Sequence, residues 1–146
     1  MSSALHKYGH IDFNNLDGKA NYNERPTYSD AKLCNNLFAR ELARRTEGSG
    51  ISVYCLQPGM VRTDIGRHVP FFKLLSYLLF PVSWLLVKSP YEGCQTVLHC
   101  AVSEELQGIS GRYYANCAEE PWSKVSSDDA VAVQLWNVSE EVTGIK

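Results

Sequence analysis

The sequence has little of what identifies several large classes of protein. It has no run of Lys and Arg dense enough to suggest a nucleic-acid footprint, and its formal net charge is -2. The densest basic cluster is Arg40, Arg44 and Arg45, whose spacing on one helix is more typical of a solvated face. A nucleic acid is therefore not an expected partner.

Metal-binding and disulfide signals are also missing. The five cysteines are odd in number and include no C-x-x-C pair, which argues against a disulfide framework and a zinc site. The four histidines show no ligand spacing of the H-E-x-x-H kind, so we expect no bound metal. Residues Met1–Gly9 lack the apolar core of a signal peptide. These absences predict a reducing, intracellular compartment.

What the sequence does contain is an alternation of helical and strand patterns. Pro26 disfavours helix at Arg25, so we expect a helix to begin only after it, and Ser126 or Ser127 is the expected N-cap of the last helix. The predicted elements are a loop at 8–26, a helix at 27–47, a strand at 51–56, a helix at 90–102, a strand at 111–115 and a helix at 128–142. This order predicts an α/β fold with a parallel sheet. Because two strands cannot make such a sheet, we expect further strands outside this sequence.

The chemistry centres on Ser3, Tyr28 and Lys32. Tyr28 and Lys32 are four residues apart near a predicted helix start, so they share one face. A nearby ammonium group and the helix N-terminus both favour a phenolate, and such a tyrosine can serve as a general acid or base. On its own this spacing is weak, since a packed tyrosine and a solvated lysine give the same pattern.

The surrounding motifs strengthen the case. Ser2-Ser3 precedes Tyr28-Ser29-Asp30-Ala31-Lys32, and a predicted strand then ends at Gln57-Pro58-Gly59 followed by Met60-Val61-Arg62-Thr63. These motifs, together with Glu92-Gly93-Cys94-Gln95-Thr96 and Leu135-Trp136-Asn137-Val138-Ser139, resemble the short-chain dehydrogenase/reductase family, in its retinol-dehydrogenase-like branch. The resemblance spans essentially the whole chain. It implies the C-terminal half of a Rossmann-like, doubly wound parallel sheet.

The resemblance also implies roles for individual residues. Tyr28 would be the catalytic acid/base, and Lys32 would favour its phenolate and bond the nicotinamide ribose. Ser3 would hold the substrate oxygen, and Pro58, Gly59 and Thr63 would line the nicotinamide side of the cofactor. The cofactor would be NADP, in preference to NAD, and the substrate a small apolar alcohol or aldehyde. Hydride would pass between the nicotinamide and the substrate carbon.

One family feature is absent from the sequence. No G-x-x-x-G-x-G or G-x-G-x-x-G turn occurs to cradle a pyrophosphate. We therefore interpret residues 1–146 as a truncated domain of the family whose N-terminal cofactor-binding half is missing.

The most apolar segment, 70–87, admits three interpretations. It could span a membrane, for which about 20 apolar residues suffice, although Lys73 and Pro81 weigh against this. It could be ordinary core. We favour a substrate lid over 64–88, because the family places its substrate loop after the Pro-Gly turn and an apolar lid suits an apolar substrate. The same surface could touch a bilayer through Tyr77 and Trp84.

Two functions therefore stand as hypotheses. The first is an NAD(P)-dependent oxidoreductase interconverting an alcohol and an aldehyde or ketone, with retinol/retinal or another lipid-like carbonyl as substrate. The alternative is a catalytically inactive remnant that acts through partner or membrane binding, since an incomplete sheet would expose an edge and an apolar face. The resemblance further implies a homodimer. We expect a parent protein associated with the endoplasmic reticulum or another organelle membrane, and a cytoplasmic location is open for this chain.

Overall fold

The computed structural model describes residues 1–20, 22–62 and 87–145. Thr63 and nearly all of the predicted lid lie outside this part. The helices are α1 (Glu24–Arg45), α2 (Pro90–Val102) and α3 (Asp129–Thr143), and the strands are β1 (Tyr54–Gln57), β2 (Arg112–Ala115) and β3 (Ala118–Glu120). Short 3₁₀ helices cover Ala4–Tyr8, Glu104–Leu106 and Lys124–Ser127. The α/β class predicted from the sequence is confirmed.

The sheet has the order β1-β2-β3. Strands β1 and β2 pair in parallel, with Tyr54 opposite Arg112, and β3 returns antiparallel to β2. The turn between β2 and β3 places Asn116 and Cys117 at φ 52 and 59, two successive left-handed residues that suit a tight hairpin. This third strand was not predicted from the sequence, so the expectation that the chain supplies only two strands was wrong.

The two faces of the sheet are covered by different helices. Because side chains alternate along a strand, Cys55 faces α1, where its thiol donates to Asn36 Oδ1. The next residue, Leu56, lies on the other face and packs with Cys100 of α2 and with Tyr114. On the outer side of α1, a second cluster joins it to α3 through Leu33, Leu37, Ala132 and Leu135. Layers of helix and sheet therefore enclose a core on each side.

The helix limits differ from the expectation in instructive ways. Helix α1 begins at Glu24, before Pro26. A proline in the first turn loses no helical hydrogen bond, because the N–H groups there have no intrahelical acceptor. Helix α3 is capped by the Asp128 side chain, which accepts from Val131 N, and Ser126 and Ser127 instead lie in the preceding 3₁₀ helix.

Helix α2 matches the prediction over its whole length. Ser89 caps it and Pro90 occupies its first turn. The Ser89 hydroxyl accepts from Glu92 N, while the Glu92 carboxylate accepts from Ser89 N, a capping box formed entirely by local residues. None of the helices in the described part of the chain is long and apolar enough to cross a membrane.

Candidate active site

Tyr28 and Lys32 lie on the first turns of α1 and approach one another. The Lys32 ammonium is 5.3 Å from the centroid of the Tyr28 ring, and the Tyr28 side chain is 39% exposed. Contact of this kind between a cation and an aromatic ring is worth about 0.5–1 kcal/mol at an exposed site. Within the described residues no hydrogen bond engages the Tyr28 hydroxyl or the Lys32 ammonium. Both polar groups are available to a ligand.

Ser3 lies beside the end of β1. The backbone N–H of Ser2 donates to the carbonyl of Leu56 at 2.6 Å, which places the next residue at the end of the strand. Ser3 also caps the 3₁₀ helix Ala4–Tyr8, because its Oγ accepts from Leu5 N at 3.3 Å. A hydroxyl whose oxygen already accepts a bond keeps its proton free to donate. Ser3 can thus hold a substrate oxygen.

The segment that carries Ser3 is held along α1. At one end Asn35 Nδ2 donates to the carbonyl of Met1 at 3.0 Å, and at the other His10 N donates to Asp30 Oδ1 at 2.8 Å. Gly9 is pressed against the same helix, since an added Cβ would lie 2.6 Å from the carbonyl oxygen of Ser29. The segment therefore runs opposite to α1. It lies against the helix that carries Tyr28 and Lys32.

Pro58 and Gly59 follow the carboxyl end of β1, with Gly59 exposed and at φ +85. A lysine that the sequence analysis missed lies against them. The Lys88 ammonium donates to the carbonyl of Pro58 at 3.2 Å and to Asn116 Oδ1 at 2.6 Å. It ties the loop after β1 to the turn after β2. The one sequence signal for Lys88 is its position as the first charged residue after the apolar segment.

The residues on either side of the undescribed segment 63–86 are joined to one another. Arg62 N donates to the carbonyl of Lys88, and Lys88 N donates to the carbonyl of Met60, both at 2.9 Å. Val61 packs so closely on α2 that a Cβ added to Gly93 would lie 2.5 Å from it. The segment thus begins and ends next to Gly59. The predicted role of Thr63 and the predicted lid lie outside the described residues.

A cavity of about 700 Å³ lies at the opposite end of the sheet. Its lining includes Gly48, Gly50, Gly108 and Gly111 together with charged side chains of α1. Those charges are engaged with one another, as in the Arg44–Glu41 pair at 2.7 Å. The cavity contains none of the predicted site residues. The carboxyl end of the sheet is the better candidate, because ligands of open α/β sheets bind there.

The basic cluster of α1 is partly exposed, with Arg44 and Arg45 at the surface as expected, and it also pairs with carboxylates. Glu41 is 3% exposed and accepts from both Arg44 and Arg45, at 2.7 and 2.6 Å. The hydrogen bonds from Arg44, reinforced by those from Arg45, lower the pKa of the Glu41 carboxyl to about 2. Arg40 pairs with Asp129 of α3. These arginines therefore stabilise the packing of α1.

Comparison with known proteins gives a consistent result. The chain is 46% identical to human retinol dehydrogenase 14 over 99% of its own length and 43% of that protein. It is 40% identical to human retinol dehydrogenase 12 over all of its length and 45% of that protein. It is 41% identical to bovine dehydrogenase/reductase SDR family member 13, covering 39% of that protein. The chain thus spans less than half the length of these relatives.

No family model matches the sequence. Among solved structures, an uncharacterized protein from Mycobacterium Paratuberculosis superposes with a TM-score of 0.70 at 22% identity, over 98% of this chain and 48% of that one. This likeness supports the fold. The order of the motifs, the α/β sheet and the identity to its relatives together place the chain in the short-chain dehydrogenase/reductase family, as a retinol-dehydrogenase-like member.

Proposed function

We propose that this chain carries the catalytic residues of an NAD(P)-dependent oxidoreductase that interconverts an alcohol and an aldehyde or ketone. The observation that supports it best is the pairing of Tyr28 and Lys32, whose polar groups no described residue engages, on the helix that also holds the segment of Ser3. Tyr28 is exposed and Lys32 is partly buried. Because no described residue holds their polar groups, both can bond a ligand at the surface of the helix.

The proposed roles follow from the donors and acceptors. Ser3 donates its hydroxyl proton to the substrate oxygen, because its Oγ already accepts from Leu5 N. Tyr28 transfers a proton to that oxygen during reduction and takes it back during oxidation. Lys32 stabilises the phenolate, since an ammonium beside a tyrosine favours its charged form.

The residues present suit the nicotinamide end of the cofactor. Gly59 is exposed, and the Lys88 side chain lies beside the position where a Cβ would be, so a flat ring would approach the Pro58-Gly59 turn from the side away from Lys88. Lys32 is free to donate to ribose hydroxyls, and Thr63 is proposed to line the same side. When bound, the cofactor supplies or accepts the hydride. NADP is proposed ahead of NAD.

The test compares turnover by the purified chain and by Tyr28→Phe. NADPH and NADH oxidation would be followed with all-trans-retinaldehyde and with an aliphatic aldehyde. Loss of a general acid costs about 10²–10⁴-fold in rate, so we expect at least a hundredfold fall in kcat. Tyr91→Phe is the matched control, because Tyr91 is 76% exposed on α2 and remote from α1.

Two outcomes would contradict this function. Equal turnover by Tyr28→Phe and the wild type would remove Tyr28 from the mechanism. No nucleotide oxidation by a cooperatively folded wild-type chain would reject catalysis by this chain.

For the substrate we propose a retinoid-type or other lipid-like alcohol/aldehyde. Two of the relatives are named retinol dehydrogenases, and the segment 64–88 that enters and leaves beside Gly59 is rich in Phe, Leu and Trp. We propose this segment as the lid, with peripheral contact to an intracellular membrane. A faster rate with retinaldehyde than with a short polar aldehyde is the expected result.

A second function, docking without catalysis, is favoured by one surface. Tyr91, Leu98 and Val102 are 76%, 48% and 74% exposed, and their spacing places them on one face of α2. A second copy of the chain or another partner could cover this face. Size-exclusion chromatography with light scattering, on the wild type and on Leu98→Glu, tests whether the chain dimerises there.

A further inference from the structure

A chain of hydrogen bonds runs through the interior from β1 to Ser3. The thiol of Cys55 donates to Asn36 Oδ1 at 3.1 Å, and Asn36 Nδ2 donates to Ser126 Oγ at 3.1 Å. Ser126 Oγ lies 2.9 Å from Ser123 Oγ, which lies 3.0 Å from His6 Nε2. His6 Nδ1 lies 2.6 Å from the carbonyl oxygen of Ser3.

The groups at the two ends of this series of hydrogen bonds fix which atoms donate and which accept. The amide nitrogen of Asn36 can only donate, and the carbonyl of Ser3 can only accept. Ser126 therefore accepts from Asn36 and donates to Ser123, which donates to His6 Nε2. His6 must then be neutral with its proton on Nδ1. Only this arrangement gives a partner to every donor and acceptor in the series of hydrogen bonds.

Protonation of His6 would break the arrangement. A proton on Nε2 would force the Ser123 hydroxyl to turn towards Ser126, whose own proton would then lack its acceptor. Ser126 is fully buried and His6 is 1% exposed, and an unsatisfied buried hydroxyl is costly. Burial of the imidazole lowers the pKa of His6, and Lys7 acts in the same direction. The ring of Tyr113 packs edge-on against the His6 imidazole, with the ring centroids 5.4 Å apart.

The chain of bonds connects every element that carries the candidate site. Asn36 lies on α1 two turns after Tyr28 and one after Lys32, on the same face. Cys55 belongs to β1, whose end precedes Pro58 and Gly59. Ser123 and Ser126 belong to the loop and 3₁₀ helix before α3. The carbonyl of Ser3 receives the last bond, so its backbone position depends on all of them.

We propose that this one-way chain of hydrogen bonds fixes Ser3 relative to α1, and that His6 and Asn36 are positioning residues. The inference rests on the function proposed above, in which Ser3 and Tyr28 hold the same substrate oxygen. His6 and Asn36 touch neither substrate nor cofactor. They set the distance between two groups that do, and small displacements of such groups reduce rates strongly.

The direction of the bonds can be read by NMR on the full 146-residue chain. Two-bond couplings of ¹⁵N-labelled imidazoles distinguish the two neutral tautomers. We expect His6 to carry its proton on Nδ1, and to remain neutral at a pH where an ordinary imidazole is charged. A proton on Nε2, or titration of His6 like an ordinary imidazole, would overturn the proposal.

The link to Ser3 is tested by Ser126→Ala, with Ser139→Ala as the matched control. Ser139 is a partly buried serine of α3 whose hydroxyl donates to the carbonyl of Leu135, outside this series of hydrogen bonds. Because Leu5 N donates to Ser3 Oγ, its amide hydrogen exchange reports on Ser3. We expect exchange to rise about tenfold in Ser126→Ala and to stay unchanged in Ser139→Ala. Unchanged exchange in a folded Ser126→Ala would contradict the proposal, and Ser123→Ala serves if that variant does not fold.

Turnover adds an independent readout. Ser126→Ala should lower kcat about tenfold and leave the KM for the nucleotide unchanged, because it displaces Ser3 and not the Pro58-Gly59 turn. A raised KM with unchanged kcat would overturn the positioning role. If the wild type does not turn over, the proposed function fails, while the tautomer and the exchange of Leu5 still decide whether the hydrogen bonds position Ser3.

Discussion

The two halves of α1 use their polar side chains in opposite ways. In the first half, no described residue engages the Tyr28 hydroxyl or the Lys32 ammonium. In the second half, Asn36 and Glu41 are buried, and each is held by several partners. Glu41 in the second half therefore serves stability, while Tyr28 and Lys32 in the first half keep their polar groups for a ligand. Substitutions in the two halves should separate stability from activity.

The largest effect is expected in the second half, for Glu41→Gln. It removes a charge that two arginines hold, and a pKa lowered from 4.5 to about 2 corresponds to about 3 kcal/mol of stability. Chemical denaturation at neutral pH measures it. Glu47→Gln, an exposed glutamate of the following turn, is the control and should change stability by less than about 0.5 kcal/mol.

The pH dependence of the same pair has a definite sign. Since the pKa of Glu41 is lowered in the folded state, its contribution is fully present above the unfolded value of 4.5. It is lost as the pH falls towards about 2. The difference in stability between wild type and Glu41→Gln should therefore shrink over this window. A difference that stays constant down to pH 2 would show that the carboxylate is not responsible.

The next effect is expected in the first half, for Lys32→Met. Its contact with Tyr28 is partly exposed, so the free energy of unfolding should change by less than about 1 kcal/mol. The rate of nucleotide-dependent aldehyde reduction should fall at least tenfold, because the phenolate of Tyr28 loses its neighbouring charge. Lys19→Met is the control, since among the described residues Lys19 forms its ion pair with the exposed Asp17 alone. If Lys32→Met lost stability but kept its rate, the first half of α1 would serve stability and not catalysis.

The smallest effect is expected for Lys88→Met, outside α1. It removes the bonds from the ammonium to Pro58 and Asn116, which are partly exposed, so stability should fall by about 1 kcal/mol. The KM for the nucleotide should rise severalfold with kcat little changed, because the Pro58-Gly59 turn is loosened. Steady-state kinetics measures the change in KM, and thermal melting measures the change in stability. An unchanged KM would mean that Lys88 does not hold the cofactor turn.

Elements that neighbouring residues determine were predicted correctly from the sequence, and elements that depend on residues far apart in the sequence were not. Helix α2 was predicted at its observed limits because Ser89, Pro90 and Glu92 form its start by themselves. Strand β3 was missed because Ala118, Glu119 and Glu120 have little strand preference and pair through a turn of left-handed residues. Strand β1 was predicted three residues early, since Val53 N donates to the side chain of Ser110 and not to a strand.

The site shows the same division. Tyr28 and Lys32 could be predicted as site residues because their spacing on one helix is a local pattern and the motifs around them resemble a known family. The roles of Lys88 and His6 depend on partners 28 and 117 residues away in sequence. Nothing in the spacing of these residues indicates such contacts, which exist only once the sheet and its helices have packed.

The most direct test of the central claim is an NMR titration of the ¹⁵N-labelled chain with NADPH. If the carboxyl end of the sheet is the nucleotide and substrate site, the largest amide shifts will cluster at Ser3, Tyr28, Lys32 and Gly59. Tyr28→Phe should keep most of this pattern while abolishing turnover. Shifts confined to the opposite cavity, around Gly48 and Gly111, or no shifts at saturating nucleotide, would contradict the account.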